Sequence, residues 1–256
     1  MKLHPFRALH PPSHLAGDVA SPPYDVVSTE EARAIGDARP RSFLHVVRPE
    51  IDLDPAADIH GDAVYAAGAA TLRRFAAEGT LTRDTEPAIW LYRLDMGEHS
   101  QVGFVGCAEV EDYQAGLIKR HEFTRPDKED DRTRHVDTLG AHTGPVFLTC
   151  PESASLATTQ SRLTEGPPTL DVTADGGVRH RLWRVTDEAS LSEIASGFGA
   201  LPAFYIADGH HRAASAWRVR DLRRQRAEAG EGDGAWDRFL VVVFPEDQLK
   251  ILAYNR

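Results

Sequence analysis

The feature that most constrains the fold of this chain is a short strand that leads directly into a long helix. Residues 204–206 form an apolar run typical of a buried strand, and Asp208 and Gly209 end it. The residues from 210 to about 229 are predicted to form the helix. A strand that turns at once into a helix is typical of α/β proteins, so we predict an α/β fold, with α+β as the alternative.

The rest of the chain alternates between strand-like and helix-like segments. Strands are predicted at 42–50, 87–95, 102–113, 144–150 and 239–244, with a hairpin at 170–185. Helices are predicted at 56–78, from Asp127 onward with Asp127 as the N-cap, at 151–165 and at 190–198.

The composition limits the class of protein. The chain has 256 residues, of which 41% are hydrophobic, enough for one large domain or for two regions, residues 1–113 and 114–256. The net charge of -10 argues against a nucleic-acid partner. No run of about 18 apolar residues is present to span a membrane, and the N-terminus lacks the apolar core of a signal peptide. Cys107 and Cys150 form no CxxC pair, so two reduced thiols in a cytoplasmic protein are expected.

The five residues Asp208-Gly209-His210-His211-Arg212 carry the clearest chemical signal. The first turn of a helix presents unpaired N–H groups and a partial positive charge, which attract anions. Gly209 lets the backbone approach an anion closely, and His210, His211 and Arg212 add hydrogen-bond donors. The pattern therefore predicts a phosphate site. Two interpretations are open: Asp208 caps the helix while the histidines face solvent, or Asp208 meets a substrate hydroxyl or the magnesium ion of a nucleotide.

The stretch YIADGHHRAASA resembles the phosphate-binding motif of ParB/sulfiredoxin-fold proteins. Chromosome-segregation ParB proteins bind CTP there, and sulfiredoxins use ATP. Free-serine kinases of this fold carry Asp-Gly-His-His-Arg, which stands here at 208–212. The resemblance implies a ParB/sulfiredoxin-like core elaborated by the N-terminal half, with ATP or ADP as the donor, CTP as an alternative, and magnesium.

The sequence departs from the patterns of two families of that fold, so their activities are not expected here. The nucleophilic Cys of sulfiredoxins is replaced here by His210, and an imidazole cannot take the role of that thiolate. ParB proteins bind DNA through a basic helix-turn-helix domain, which we do not find in this acidic chain.

Motifs along most of the chain also resemble a family known only as domain of unknown function 1015. They are PPYDVV (22–27), RPE (48–50), KRHEFT (119–124), KEDDR (128–132), GP (144–145), LW (182–183) and ADGHHR (207–212).

The charged segment at 119–132 contains candidates for catalysis. His121-Glu122 begins like a zinc-protease motif, but Arg125 stands where the second His is required, so zinc is not expected. Glu122 has basic neighbours that keep it ionised, and we predict that it is a general base, with His121 binding substrate beside it. The resemblance to free-serine kinases, whose catalytic Glu also follows a His, implies the same role. Lys128 and Arg132 either hold a phosphate or substrate carboxylate or belong to a solvated helix face.

The proline-rich residues 1–30 are expected to form an extended loop that ends at a helix cap, Ser28 or Thr29. Tyr24 and Asp25 lie on this stiffened loop. They are either substrate-binding groups or part of a surface turn.

Arg48 is a further substrate-binding candidate, because it precedes Pro49 at the end of the predicted strand 42–50, where α/β proteins often bind ligands. His135 and His142 are expected at a helix surface, and the arginines of the helix 213–229 on a solvated face.

The resemblance to free-serine kinases implies a nucleotide-dependent kinase that phosphorylates a small hydroxyl compound such as free serine. In this hypothesis residues 209–212 bind the nucleotide phosphates, Asp208 holds magnesium or the hydroxyl, and Glu122 accepts the hydroxyl proton. Two alternatives are a CTP- or ATP-binding switch without an acceptor and a non-catalytic scaffold. No nucleic-acid or membrane partner is expected.

Overall fold

The computed structural model describes residues 2–226 and 234–250. The strands in these ranges are β1 (Leu9–His10), β2 (Thr82–Arg83), β3 (Ile89–Met96), β4 (His99–Glu109), β5 (Ile118–Lys119), β6 (Val146–Cys150), β7 (Leu170–Thr173), β8 (Arg179–Val185), β9 (Phe204–Asp208) and β10 (Arg238–Pro245). The α-helices are α1 (Ala16–Val19), α2 (Thr29–Ala38), α3 (Leu44–Val47), α4 (Asp62–Ala77), α5 (Val110–Gln114), α6 (Pro126–Leu139), α7 (Ala154–Leu163), α8 (Glu188–Gly199) and α9 (His210–Arg226). The predicted end of the last helix near Ala229 lies outside the described residues.

Eight of the strands form one mixed sheet in the order β5-β9-β6-β10-β4-β3-β8-β7, and β1 pairs with β2. The pairs β5–β9 and β6–β10 are parallel, whereas the other neighbours in the sheet are antiparallel. A mixed sheet combined with helices confirms the α/β class. Among the described helices, none has both the length and the apolar character that crossing a membrane requires.

Most of the predicted strands are present. The hairpins β3–β4 and β7–β8 form as expected, with Gly97 at φ 62° in the first turn and Gly176 and Gly177 at φ 92° and 82° in the second. A glycine is required at these positions because L-residues rarely adopt a positive φ. The predicted strand 102–113 ends earlier, at Glu109, where α5 begins.

The predicted strand at 42–50 is wrong. Residues 44–47 form the single helical turn α3, and a 3-10 helix follows at Pro49–Asp52. All four residues of α3 are buried. A short run of mostly apolar residues fits a buried strand or a buried helical turn equally well, so its tertiary contacts decided the outcome.

The core of the sheet draws on both halves of the chain. Phe104 of β4, Phe198 of α8 and Phe204 of β9 are fully buried and pack edge to face, with ring centroids 5.2 and 5.5 Å apart. Strands β3 and β4 precede residue 113, and the strands on either side of them follow it. A boundary at residue 113 therefore does not separate two sheets.

Helices α6 and α9 pack side by side and are joined by ion pairs. Arg218 contacts Asp130 at 2.5 Å, and Arg223 and Arg226 contact Asp137 at 2.6 and 2.7 Å. The expectation of a solvated arginine face is wrong for Arg220, which is buried and pairs with Glu111 at 3.1 Å, whereas Arg226 remains exposed despite its ion pair. This packing places the beginning of α9, which carries the 208–212 motif, beside α6, which carries the candidate residues Lys128 and Arg132.

Candidate functional site

The turn between β9 and α9 is built around Gly209. Its φ of +88° is one that L side chains rarely adopt, and a Cβ here would lie 3.4 Å from the Cα of Val146. The Gly209 carbonyl accepts hydrogen bonds from the backbone N–H groups of Arg212 (2.9 Å) and Ala213 (3.1 Å), which start the helix. The backbone conformation therefore favours glycine at this position.

Asp208 ends β9 with an exposed side chain. Its carboxylate makes no hydrogen bond or ion pair with any residue that the structure describes. The helix-capping interpretation has no support in this geometry, and the carboxylate is free to meet a cation or a hydroxyl.

His210 is buried, with 5% of its surface exposed. Its Nδ1 lies 3.6 Å from Oε2 of Glu122, and the His121 ring meets its ring edge-on with centroids 4.6 Å apart. Its Nε2 is buried and has no hydrogen-bond partner among the described residues. Burial lowers the pKa of His210, although the Glu122 carboxylate opposes this effect. The ring is therefore uncharged at neutral pH.

His211 attaches the charged segment to the motif helix. Its Nε2 accepts a hydrogen bond of 3.1 Å from the backbone N–H of Arg125. Because this nitrogen is an acceptor, the proton of the neutral ring is on Nδ1. The segment that carries Glu122 is thus held against the first turn of α9.

Two arginines lie over the ring of Tyr24. The Cζ of Arg132 is 4.6 Å from the ring centroid, and that of Arg212 is 5.2 Å from it. Arg132 pairs with Asp131 through Nε at 2.8 Å and Nη2 at 2.5 Å. Arg212 has no carboxylate partner in the part of the chain that the structure describes, and it packs against Gly144, where a Cβ would overlap its guanidinium.

A small cavity of about 20 Å³ lies between these groups, and His135 and His142 also line it. Its volume is that of about one water molecule. Nε2 of His135 donates to the Val46 carbonyl at 3.1 Å. Burial lowers the pKa of each histidine to about 4, and the nearby Arg212 charge acts in the same direction. The expectation that both lie on a helix surface is wrong, because His135 is on the buried face of α6 and His142 lies in the loop between α6 and β6.

The loop that carries Tyr24 is held from behind by Arg48. The guanidinium of Arg48 donates to the carbonyls of Tyr24 (2.6 Å) and Val27 (2.8 Å) and pairs with Glu50 at 2.5 Å. Arg48 therefore lies at the break between α3 and a 3-10 helix, not at a strand end, and its donors are used within the protein. Asp25 is exposed on the same loop.

The loop ends at the expected cap. The Ser28 hydroxyl accepts from the N–H of Glu31 at 3.2 Å, and the Glu31 carboxylate accepts from the N–H of Ser28 at 2.8 Å. Of the two predicted positions, Ser28 is therefore confirmed as the N-cap of α2.

The charged segment is mostly exposed. Glu122 has 63% of its side chain accessible, and Lys128 is exposed as well. Helix α6 begins at Pro126 with Arg125 as its N-cap, so the predicted cap at Asp127 is wrong, because proline fits the first helical position. Although Lys128 and Arg132 are one turn apart, Arg132 turns inward to Asp131 and Tyr24 while Lys128 remains at the surface.

The structure thus brings together most of the predicted residues. Glu122, His121 and the 208–212 turn meet at one point, and Tyr24 and Arg132 meet Arg212 at another. The sequence did not predict that His135, His142 and Gly144 line the cavity beside Arg212. Only Gly144 carried a signal, since it belongs to the GP motif at 144–145.

A magnesium ion would have one candidate ligand here. In the described residues no three His, Cys, Asp or Glu side chains are grouped to hold a metal ion. One exposed carboxylate, that of Asp208, fits a magnesium ion that is bound mainly by phosphate oxygens and water.

Comparison with known proteins gives a family match. The model of a family described as "Protein of unknown function (DUF1015)" matches residues 3–256. No curated protein and no solved structure matches the chain.

Proposed function

The chain belongs to the DUF1015 family, as its motifs predicted, and because that family has no assigned function we propose one from the site. We propose that the protein is a nucleotide-dependent kinase that transfers a phosphoryl group to the hydroxyl of a small molecule such as free serine. The donor is ATP or ADP, with CTP as an alternative, and the core is of the ParB/sulfiredoxin type.

The observation that carries the proposal is the uncompensated charge of Arg212. This guanidinium is partly buried beside a second arginine, and no described carboxylate neutralises it. The first turn of α9 adds unpaired N–H groups and the positive end of the helix dipole. A partly buried positive charge that lacks a counter-ion favours an anionic ligand, and a phosphate chain supplies several acceptor oxygens.

Each residue of the turn has a role in the proposed reaction. The Gly209 backbone and Arg212 bind the phosphates and offset the charge that develops during transfer. Glu122 accepts the proton of the acceptor hydroxyl, and its carboxylate lies 3.6 Å from Nδ1 of His210 in the first turn of α9. Asp208 holds the magnesium ion, which neutralises phosphate charge when it is bound.

A second candidate is a nucleotide-binding switch without an acceptor. It is favoured by the exposure of Glu122, whose side chain is 63% accessible, because a kinase needs a pocket that encloses the acceptor beside its base. In this case nucleotide binds at the turn, and no hydroxyl compound is phosphorylated.

Thermal stability with magnesium and ATP, ADP or CTP tests both candidates. A nucleotide at about 100 times its dissociation constant should raise the unfolding free energy by about 2.7 kcal/mol. We expect this increase for the wild type and for Arg73→Ala, a control at an exposed arginine of α4, but not for Arg212→Ala. The absence of any increase in the wild type would reject kinase and switch together.

A screen of hydroxyl compounds then separates the two. Transfer of labelled phosphate to a small acceptor supports the kinase. Nucleotide binding without transfer to any tested acceptor supports the switch.

A further inference from the structure

Arg132 and Arg212 share the Tyr24 ring but are held in different ways. Asp131 occupies the Nε and Nη2 donors of Arg132, so the hydrogen-bonding edge of that guanidinium is used. The guanidinium of Arg212 lies over Tyr24 and beside Gly144, and its side chain makes no hydrogen bond to any described residue.

The difference matters because a guanidinium is planar. Its N–H donors point outward in the plane, whereas its attraction to an aromatic ring acts through the ring's negative face. A carboxylate partner would both neutralise the charge and occupy the donors. An aromatic partner confines the group and leaves its charge and its donors to a ligand.

We propose that Tyr24 is a positioning residue, which holds Arg212 in place for the phosphate groups without neutralising it. This inference rests on the proposed function for the identity of the ligand, and it concerns the same site. The ligand class is a chain of phosphates, and Tyr24 acts on it only through Arg212.

The backbone around Tyr24 is fixed independently of its ring. Arg48 donates to the carbonyls of Tyr24 and Val27, and Glu50 holds Arg48 in turn at 2.5 Å. These contacts involve no atom of the Tyr24 side chain. The ring can therefore be changed while the anchor of the loop is kept, and a change in ligand affinity can be separated from a collapse of the loop.

Among the residues that the structure describes, no carboxylate pairs with Arg212 beside the ring. The carboxylate of Asp131 is engaged by Arg132 and by the Tyr65 hydroxyl, which donates to it at 2.8 Å. The inward-facing His135 and His142 add no positive charge at neutral pH.

A double-mutant cycle of Tyr24 and Arg212 tests the inference. Affinities for ATP and for tripolyphosphate, which lacks a base, are measured by calorimetry on the wild type, Tyr24→Leu, Arg212→Ala and the double variant. Tyr24→Leu should weaken both ligands about fivefold, since a cation–π contact is worth about 1 kcal/mol. In the Arg212→Ala background it should cause no further loss.

The conservative variant Tyr24→Phe keeps the ring and should stay within about twofold of the wild type. The inference is overturned if Tyr24→Leu binds the ligands as tightly as the wild type does. It is also overturned if Tyr24→Leu lowers the affinity equally in the Arg212→Ala background. If tripolyphosphate binds and ATP does not, the proposed function fails while the cycle with tripolyphosphate still decides the role of Tyr24. If neither binds the wild type, both proposals fail.

Discussion

The 208–212 turn and the charged segment at 119–132 meet in space but are built differently. The turn lies between β9 and α9, against β6, and His210 within it is 5% exposed. The segment is largely exposed and is attached to the turn by the hydrogen bond from the Arg125 N–H to His211 and by the contacts of His121 and Glu122 with His210. The phosphate-binding half of the proposed site is thus preformed, and the half that would handle the acceptor depends on a few local contacts.

The largest expected effect is on the rate of phosphoryl transfer, which should depend on the charged segment more than nucleotide affinity does. Glu122→Gln keeps the size of the side chain but removes the base, so transfer to the acceptor should slow by about 100-fold or more. Nucleotide affinity should change little, because the turn is intact. Steady-state kinetics with nucleotide binding measured in parallel checks this, and an equal loss of affinity would mean that Glu122 belongs to the phosphate site.

The buried His135 and the half-buried His142 lie behind the turn and make the stability of the protein depend on pH. His135 and His142 have pKa values lowered to about 4 in the folded protein, against about 6.5 when exposed. The unfolded chain therefore binds more protons between pH 6.5 and 4, and the unfolding free energy should fall by on the order of 3 kcal/mol for each histidine as pH is lowered through this range. Denaturant titrations should show a shallower pH dependence for His142→Gln, and an unchanged slope would place His142 in water.

A methyl group at Gly144 should disturb the turn without touching the segment. In Gly144→Ala the new Cβ overlaps the Arg212 guanidinium and displaces it, so nucleotide affinity should fall about tenfold. The control is Gly199→Ala, whose Cβ meets no atom within 4 Å and should leave affinity unchanged. Calorimetry measures the nucleotide affinity of both variants. Equal affinities would show that nucleotide binding does not depend on the place of the Arg212 guanidinium beside Gly144.

The smallest expected effect concerns the contact that joins the regions. His211→Ala removes the acceptor of the Arg125 N–H, a hydrogen bond worth about 1 kcal/mol. Hydrogen exchange at the Arg125 amide should accelerate about fivefold. His14→Ala, at an exposed histidine far along the sequence, should leave that rate unchanged. Unchanged exchange in His211→Ala would mean that the segment is held by other contacts.

The two regions also differ in how well their sequence predicted them. Strand β9, the break at Gly209 and the start of α9 were predicted because local signals agree there: an apolar run, a glycine and a helical pattern. Near the segment the cap of α6 was assigned to Asp127 instead of Arg125, since several polar residues in a row offer equivalent starts.

What the sequence by itself determined is the chemistry available: a glycine at a strand-to-helix turn, a cluster of histidines and arginines, and the family motifs from 22–27 to 207–212. The tertiary structure decided which of these groups meet. It turned 44–47 into a helical turn, placed Arg48 behind the Tyr24 loop, and paired Arg132 with Asp131 while leaving Arg212 without a described carboxylate. The physical reason is that hydrogen bonds and stacking between residues distant in the chain depend on packing directions, which local periodicity does not encode.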